Sequence, residues 1–327
     1  MSKSGQTNPK KGTVKKSKPI DEHEGNTVKK VFEEEIELFD LPNKPLHIKL
    51  CMGDFVDKIE EVFEYENKSY GLPTGFEIID EITAGLYPGE LIILASGVSV
   101  GKSALALNIA ENIALSQDKP VLVFSLEMTK LALTMRLLSS LSSIDQYKFK
   151  TGKLDDDDWP RLTSAINELA RTKLFINDTP ELSINELRER AIQLEIDEGQ
   201  LSLIVVDYLQ LMGSTLNNEN REQQLAEITR GLKSLARELN IPIIATSQLN
   251  RNFEKRPNKR PVMSDLRDSG AIEQDADLIA FVYRDELYNH DSPDKNIAEI
   301  AISKHRNGPL GTVRLGFVPH FTRFYNL

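Results

Sequence analysis

Six stretches of strand length, residues 91–95, 121–126, 203–206, 241–246, 278–283 and 297–303, are rich in Ile, Val, Leu and Ala and alternate with helical patterns. In a sheet with one wet face, apolar and polar residues alternate. A continuous apolar run implies a strand covered on both faces, the mark of a largely parallel sheet. The helices between the runs have legible ends. Ser183 and Glu186 form a capping box ahead of an apolar pattern from Leu187 to Ile196. Leu225, Ile228, Leu232, Leu235 and Leu239 line one face of the next helix before Pro242 forbids continuation. The expected fold class is α/β, with a central, largely parallel sheet and no internal repeat.

The first run leads into Ser96-Gly97-Val98-Ser99-Val100-Gly101-Lys102-Ser103 and then a helix. This strand, glycine-containing turn and helix start form the context of a P-loop. Glycine lets the backbone close on phosphate, the helix N-terminus presents N–H groups to an anion, and Lys102 adds a cation. Ser103 can offer its hydroxyl to Mg²⁺. The strict pattern begins with Gly where this chain has Ser96. Four apolar residues precede Asp207 at the end of another run, at the sheet edge where the P-loop also lies, so Asp207 can hold the Mg²⁺ or its waters. Glu127 follows the run 121–126, where a carboxylate can orient or deprotonate a water. A first-turn helix acid is its plainer reading. Gln248 ends the run 241–246 and its two following residues, placed to contact a γ-phosphate.

Other features bound the answer. The 327 residues are 40% hydrophobic, enough for a sizeable core, and carry a formal charge of -10, so any nucleic-acid site has to be a local basic patch. The single cysteine, Cys51, excludes an internal disulfide framework and a cysteine-rich zinc site, and suits a cytoplasmic protein. We read it as a buried or passive thiol. No stretch reaches the ~18 apolar residues of a membrane span. Residues 1–28 are expected to be a Lys-rich disordered tail. Residues 29–70 form an arm, in which Phe55, Ile59, Val62 and Phe63 give a linker helix over about 52–65 one apolar stripe. The main domain is expected over 71–327. Asp155 to Asp158 reads as a solvated loop.

Later motifs carry a resemblance. Pro73-Thr74-Gly75-Phe76, Thr83-Ala84-Gly85-Leu86, Phe124-Ser125-Leu126-Glu127-Met128, Asp207-Tyr208-Leu209-Gln210-Leu211-Met212, Ser247-Gln248-Leu249-Asn250-Arg251 and the run from Lys259 to Asp277 occur in this order. From Gly71 to Leu327 the chain resembles the RecA-like motor domain of DnaB-type replicative DNA helicases. Relatives carry an N-terminal helical domain before the linker helix, whereas about fifty residues precede it here. The resemblance implies ATP and Mg²⁺ as cofactors, with Lys102, Ser103 and Asp207 serving them, Glu127 as catalytic base and Gln248 as γ-phosphate sensor. Lys304 and Arg306 match the pair that relatives insert into the adjacent subunit's site, and they alternate to one face of a strand end. His305, between them, is expected to face solvent. Arg267, Asp268 and Gly270 match the loop lining the channel of a ring, where one arginine and backbone N–H groups per subunit track a phosphate backbone. Asp268 would contribute through its backbone. The implied partners are single-stranded DNA, further copies of the chain in a hexamer, and a replication loader or primase. The implied function is ATP-dependent translocation on single-stranded DNA, 5′ to 3′. Two alternatives stand beside it: a RecA-like ATPase that does not unwind, and a nucleotide-gated assembly module regulating a full-length helicase.

Overall fold

The computed structural model describes residues 47–49, 52, 53, 55, 56, 59, 60, 71–214 and 221–327, with 267–269 as backbone only. The chain divides into two units, 1–68 and 69–327. In the first, Ile48, Met52, Phe55 and Ile59 are helical and half or more exposed. Their spacing puts them on one helical face. Val62, Phe63, Cys51 and the Lys-rich tail lie outside the described residues.

The second unit is built on a nine-stranded sheet. In chain order the strands are β1 (Leu91–Ser96), β2 (Val121–Ser125), β3 (Leu174–Asn177), β4 (Leu203–Asp207), β5 (Ile243–Gln248), β6 (Leu278–Tyr283), β7 (Ile297–His305), β8 (Gly311–Val318) and β9 (Arg323–Tyr325). They lie side by side in the order β3-β2-β4-β5-β1-β6-β7-β8-β9. Pairing is parallel from β3 through β6 and antiparallel from β6 to β9.

The continuous apolar runs are explained by two cores, one on each face. Successive strand residues point to opposite faces. Ile92, Leu94, Val123, Val205 and Ile244 pack into one cluster with Leu105, Ile109 and Ile113 of helix α2 (Lys102–Ser116), which follows the short α1 (Glu77–Thr83). Leu91, Ile93, Leu122, Phe124, Ile204, Val206, Ile243 and Ala245 pack into the other.

The helices that follow are α3 (Lys130–Ser142), which adds Leu133 and Leu137 to the first core, α4 (Gln146–Thr151), α5 (Asp158–Leu169), α6 (Ile184–Glu198), α7 (Arg221–Leu239) and α8 (Gly270–Asp275), and the last three cover the second face. Leu187 and Ala191 of α6 and Ile228, Leu232 and Leu235 of α7 supply the second core. Ser183 and Glu186 cap α6 reciprocally, the Ser183 N–H donating to Glu186 at 2.9 Å. All five apolar positions expected along α7 are buried.

Four departures from the sequence reading have physical causes. Strand β7 is not covered on both faces: its burial alternates, with Ala298, Ile300 and Ile302 inward, because it belongs to the antiparallel extension. Strand β3 carries an apolar run of only three residues, Leu174-Phe175-Ile176, and β8 and β9 carry none of strand length, so all three take their place from pairing with a neighbour. Asp158 is buried, not solvated: Lys148 and Arg161 both bond its carboxylate, which also accepts the Asp155 N–H at 3.0 Å. His305 is half-buried, with its Nδ1 3.2 Å from the Pro309 carbonyl oxygen.

Candidate active site

The loop from Ser96 to Ser103 leaves the C-terminal end of β1, the middle strand of the nine, and enters α2. Its glycines are demanded by geometry. Gly101 has φ +124°, a region closed to most L side chains, and a Cβ on Gly97 would come within 2.8 Å of the Phe253 ring. The loop is anchored by buried Ser96 and Val100, while Val98 is half exposed and Ser99 adopts φ +61°. A cleft of about 390 Å³ opens over it, lined by Ser96, Val98, Ser99, Gly101, Lys102 and Ser103 together with Glu127 and Gln248. Lys102 is buried, its ammonium 5.1 Å from the centre of the Tyr208 ring.

Asp207 ends β4 and reaches this loop from 104 residues away. Its Oδ1 accepts the Ser103 hydroxyl at 2.8 Å and also the Thr246 hydroxyl from β5. One hydroxyl and one carboxylate placed together suit Mg²⁺, which takes one or two protein oxygens and fills its octahedron with water and substrate phosphate. Among the described residues no three His, Cys, Asp or Glu side chains are grouped as a metal site.

Glu127 follows β2, exposed at the cleft. Gln248 closes β5 and lines the same cleft. Thus six of the eight loop residues, all but Gly97 and buried Val100, meet Glu127 and Gln248 in one cleft, with Asp207 bonded to Ser103. Sequence reasoning missed several neighbours. Arg136 of α3 lines the cleft. Burial lowers its pKa, while the carboxylates of Asp207 and Glu127 act in the opposite direction. Arg284, buried and stacked on the Phe317 ring at 4.4 Å, closes another side. Neither arginine has a local signature, because its site is assembled from other strands. Tyr208 beside Lys102 has its phenol pKa raised, first by burial and then by Glu127 and Asp207.

Lys304 and Arg306 go elsewhere. Lys304 ends β7 near a bulge and donates to the carbonyls of Glu273 and, at 2.6 Å, Ala276. Burial lowers its ammonium pKa, and neighbouring Arg306 lowers it further. Arg306 donates to the Gln274 carbonyl and lies 3.3 Å from the Asp277 carboxylate. Both cations therefore sit at the C-terminal end of α8, where unpaired carbonyls favour positive charge. Arg267 and Asp268 lie in the 3₁₀ segment Met263–Ser269 that leads into α8, and Gly270 opens that helix, exposed. The segment is anchored by Asp265, which takes both guanidinium nitrogens of Arg256 at 3.0 and 2.7 Å and the Val262 N–H at 2.8 Å.

A largely parallel sheet with a phosphate loop at the C-terminal end of its middle strand, and a strand-end carboxylate on the loop's hydroxyl, defines a RecA-like P-loop nucleotide-binding domain. Residues 71–326 match the family described as DnaB-like helicase C terminal domain, and the chain belongs to that family. It is 52% identical over 287 residues to the replicative DNA helicase DnaB of Pasteurella multocida and 47% identical over 282 residues to that of Geobacillus stearothermophilus. Each alignment covers 86% of this chain and 62% of the relative, so the chain spans less than two thirds of their length. A solved ATPase domain superposes over its whole length and 87% of this chain, with TM-score 0.82 and 37% identity. A DnaB-like replicative helicase, solved in a study of its interactions with primase, gives TM-score 0.79 and 34% identity over 93% of this chain and 76% of its own. Among the described residues no helix is long and apolar enough to cross a membrane.

Proposed function

We propose that this chain is the motor of a ring-shaped DNA helicase that hydrolyses ATP with Mg²⁺ and moves 5′ to 3′ on single-stranded DNA. The observation that carries the reading is the Ser103–Asp207 hydrogen bond of 2.8 Å in a cleft that also holds Lys102, Glu127 and Gln248. Lys102 neutralises the β- and γ-phosphates, Ser103 and Asp207 hold the cation, and Glu127 takes a proton from the attacking water. Gln248 contacts the γ-phosphate and registers its loss.

Lys304 and Arg306 bond carbonyls outside the cleft of their own chain, which favours their use on a neighbour's nucleotide in a hexamer. A cation supplied in trans stabilises charge on the transferred phosphoryl and ties hydrolysis to assembly. The exposed face of Phe55 and Ile59 supports a second contact, in which the arm of residues 29–70 docks on the adjacent motor domain of residues 71–327. Arg267 and the backbone of Asp268 and Gly270 hold the DNA phosphates, and a replication loader or primase engages the assembled ring. Strand displacement from forks with only a 5′ or only a 3′ tail, run with ATP beside a mass measurement of the assembly, tests the reading. Unwinding restricted to the 5′-tailed fork by a hexamer is expected. ATP turnover on DNA with neither fork opened would leave a non-unwinding ATPase.

A further inference from the structure

Strand β4 stops pairing with β5 at Val206 and Ala245, three residues before β5 ends at Gln248. The last residues of β5 therefore lose a neighbour on that side. The gap is filled by one side chain. Gln210, in the short 3₁₀ turn Leu209–Leu211 after β4, donates from Nε2 to the Gln248 carbonyl at 3.2 Å and accepts the Gln248 N–H on Oε1 at 3.2 Å. Its carboxamide thus reproduces both hydrogen bonds that a strand backbone would make. Nε2 also donates to the buried Ser247 hydroxyl at 2.9 Å. The backbone carbonyl of Gln210 in turn accepts from Arg221, the first residue of α7.

Gln248 lines two cavities: the nucleotide cleft and a second of about 330 Å³ bordered by Gln210, Arg221, Asp265 and Leu266, next to Arg267 in sequence. The amide clamp thus holds Gln248 between the two cavities.

We propose that Gln210 is a positioning residue for hydrolysis: its carboxamide clamps the backbone of Gln248 so that the Gln248 side chain meets the γ-phosphate. This rests on the reading of Gln248 as the γ-phosphate contact. A clamp of this kind changes turnover and leaves nucleotide affinity alone, because Lys102 and the loop backbone still bind the phosphates. Among the described residues that line the cleft, Gln248 is the one whose backbone the hydrogen bonds of Gln210 hold, so the effect is expected to pass through Gln248.

The test is a double-mutant cycle on the full chain with Gln210→Ala, Gln248→Ala and the pair, measuring kcat, KM and affinity for a non-hydrolysable ATP analogue. Gln210→Ala is expected to lower kcat about tenfold with KM and analogue affinity within about twofold, and to add nothing to Gln248→Ala. Gln210→Glu supplies a variant of the same shape whose carboxylate accepts but does not donate. Its turnover relative to wild type should rise as pH falls and the carboxyl regains a donor hydrogen. Normal turnover in Gln210→Ala, or a loss that multiplies with that of Gln248→Ala, overturns the clamp while leaving the nucleotide site as read. Normal turnover in Gln248→Ala sinks the reading of Gln248 and the clamp with it. If Gln210→Ala fails to fold, a flat pH ratio for a folded Gln210→Glu chain overturns the proposal by itself.

Discussion

Arg306 lies 3.3 Å from the Asp277 carboxylate of its own chain, and its backbone N–H donates to the Asp277 carbonyl at 2.9 Å. Asp277 is buried and does not depend on Arg306 for neutralisation. It also takes Lys233 at 2.6 Å and the Leu91 N–H at 2.8 Å. Arg306 is thus free to exchange partners at little cost to the fold, as a group serving a neighbouring subunit must be.

The expected outcome for Arg306→Ala is a folded chain that binds nucleotide and has lost most ATP turnover. Lys102→Ala should be equally inactive for a different reason, since its cleft has lost the phosphate cation. Mixing the two should restore part of the turnover, because some interfaces pair an intact cleft with an intact arginine. Co-assembled mixtures that remain inactive, checked by native mass measurement, would show that Arg306 does not act between subunits.

Glu127 stands exposed at the cleft, where a neutral amide of the same shape can be accommodated. Glu127→Gln should retain nucleotide affinity within about twofold while turnover falls by at least ~10²-fold, the scale of losing a general base. Equilibrium binding of a labelled nucleotide alongside steady-state hydrolysis separates the two. Equal losses in both would make Glu127 a binding residue.

Arg267 precedes a helix start held in place by Asp265 and Arg256. Arg267→Ala should weaken binding to single-stranded DNA to a similar degree for every sequence and flatten the salt dependence by roughly one phosphate contact per subunit. Titrations at several salt concentrations read both effects, and an unchanged slope would move the DNA contact elsewhere.

Glu111 of α2 is buried against the Ser140 hydroxyl at 2.9 Å and the Asn108 amide at 3.2 Å, and burial pushes its pKa up to about 7. The unfolded carboxyl ionises near its ordinary value of 4.5, so between about 4.5 and 7 the folded chain holds a proton that the unfolded chain releases. Stability falls as pH rises through that window and levels off above it, by an amount on the order of 3 kcal/mol. Glu111→Gln should remove this fall and be more stable than wild type at pH 8 but not at pH 5. Urea unfolding at the two pH values checks the sign, and an equal wild-type midpoint at both would count against a protonated Glu111 in the folded chain.

Much of the fold is legible because its signals are local. The runs in β1, β2, β4, β5 and β6 reveal two-sided burial without any knowledge of which strands pair. Ser183 and Glu186 mark the start of α6 by themselves, and Gly101 and Lys102 mark the phosphate loop. Strands β3, β8 and β9 are not legible in this way. Leu174–Asn177 is only half-buried at the sheet edge, and Arg323–Tyr325 is three residues long, so neither carries enough pattern to stand out from a loop.

The sequence by itself determined where the chain must extend, where it must turn on glycine and which residues can meet a phosphate, because backbone sterics and apolar periodicity act over a few residues. Tertiary structure alone decided what lies beside what. It put Asp207 on Ser103 across 104 residues, brought Arg136 to Glu127 and Arg284 to Phe317, buried Asp158 between two cations, and placed the Gln210 amide where strand β4 runs out. The contacts of Asp207 with Ser103, Arg284 with Phe317 and Gln210 with Gln248 join elements distant in sequence, and their geometry follows from the order in which the strands pack.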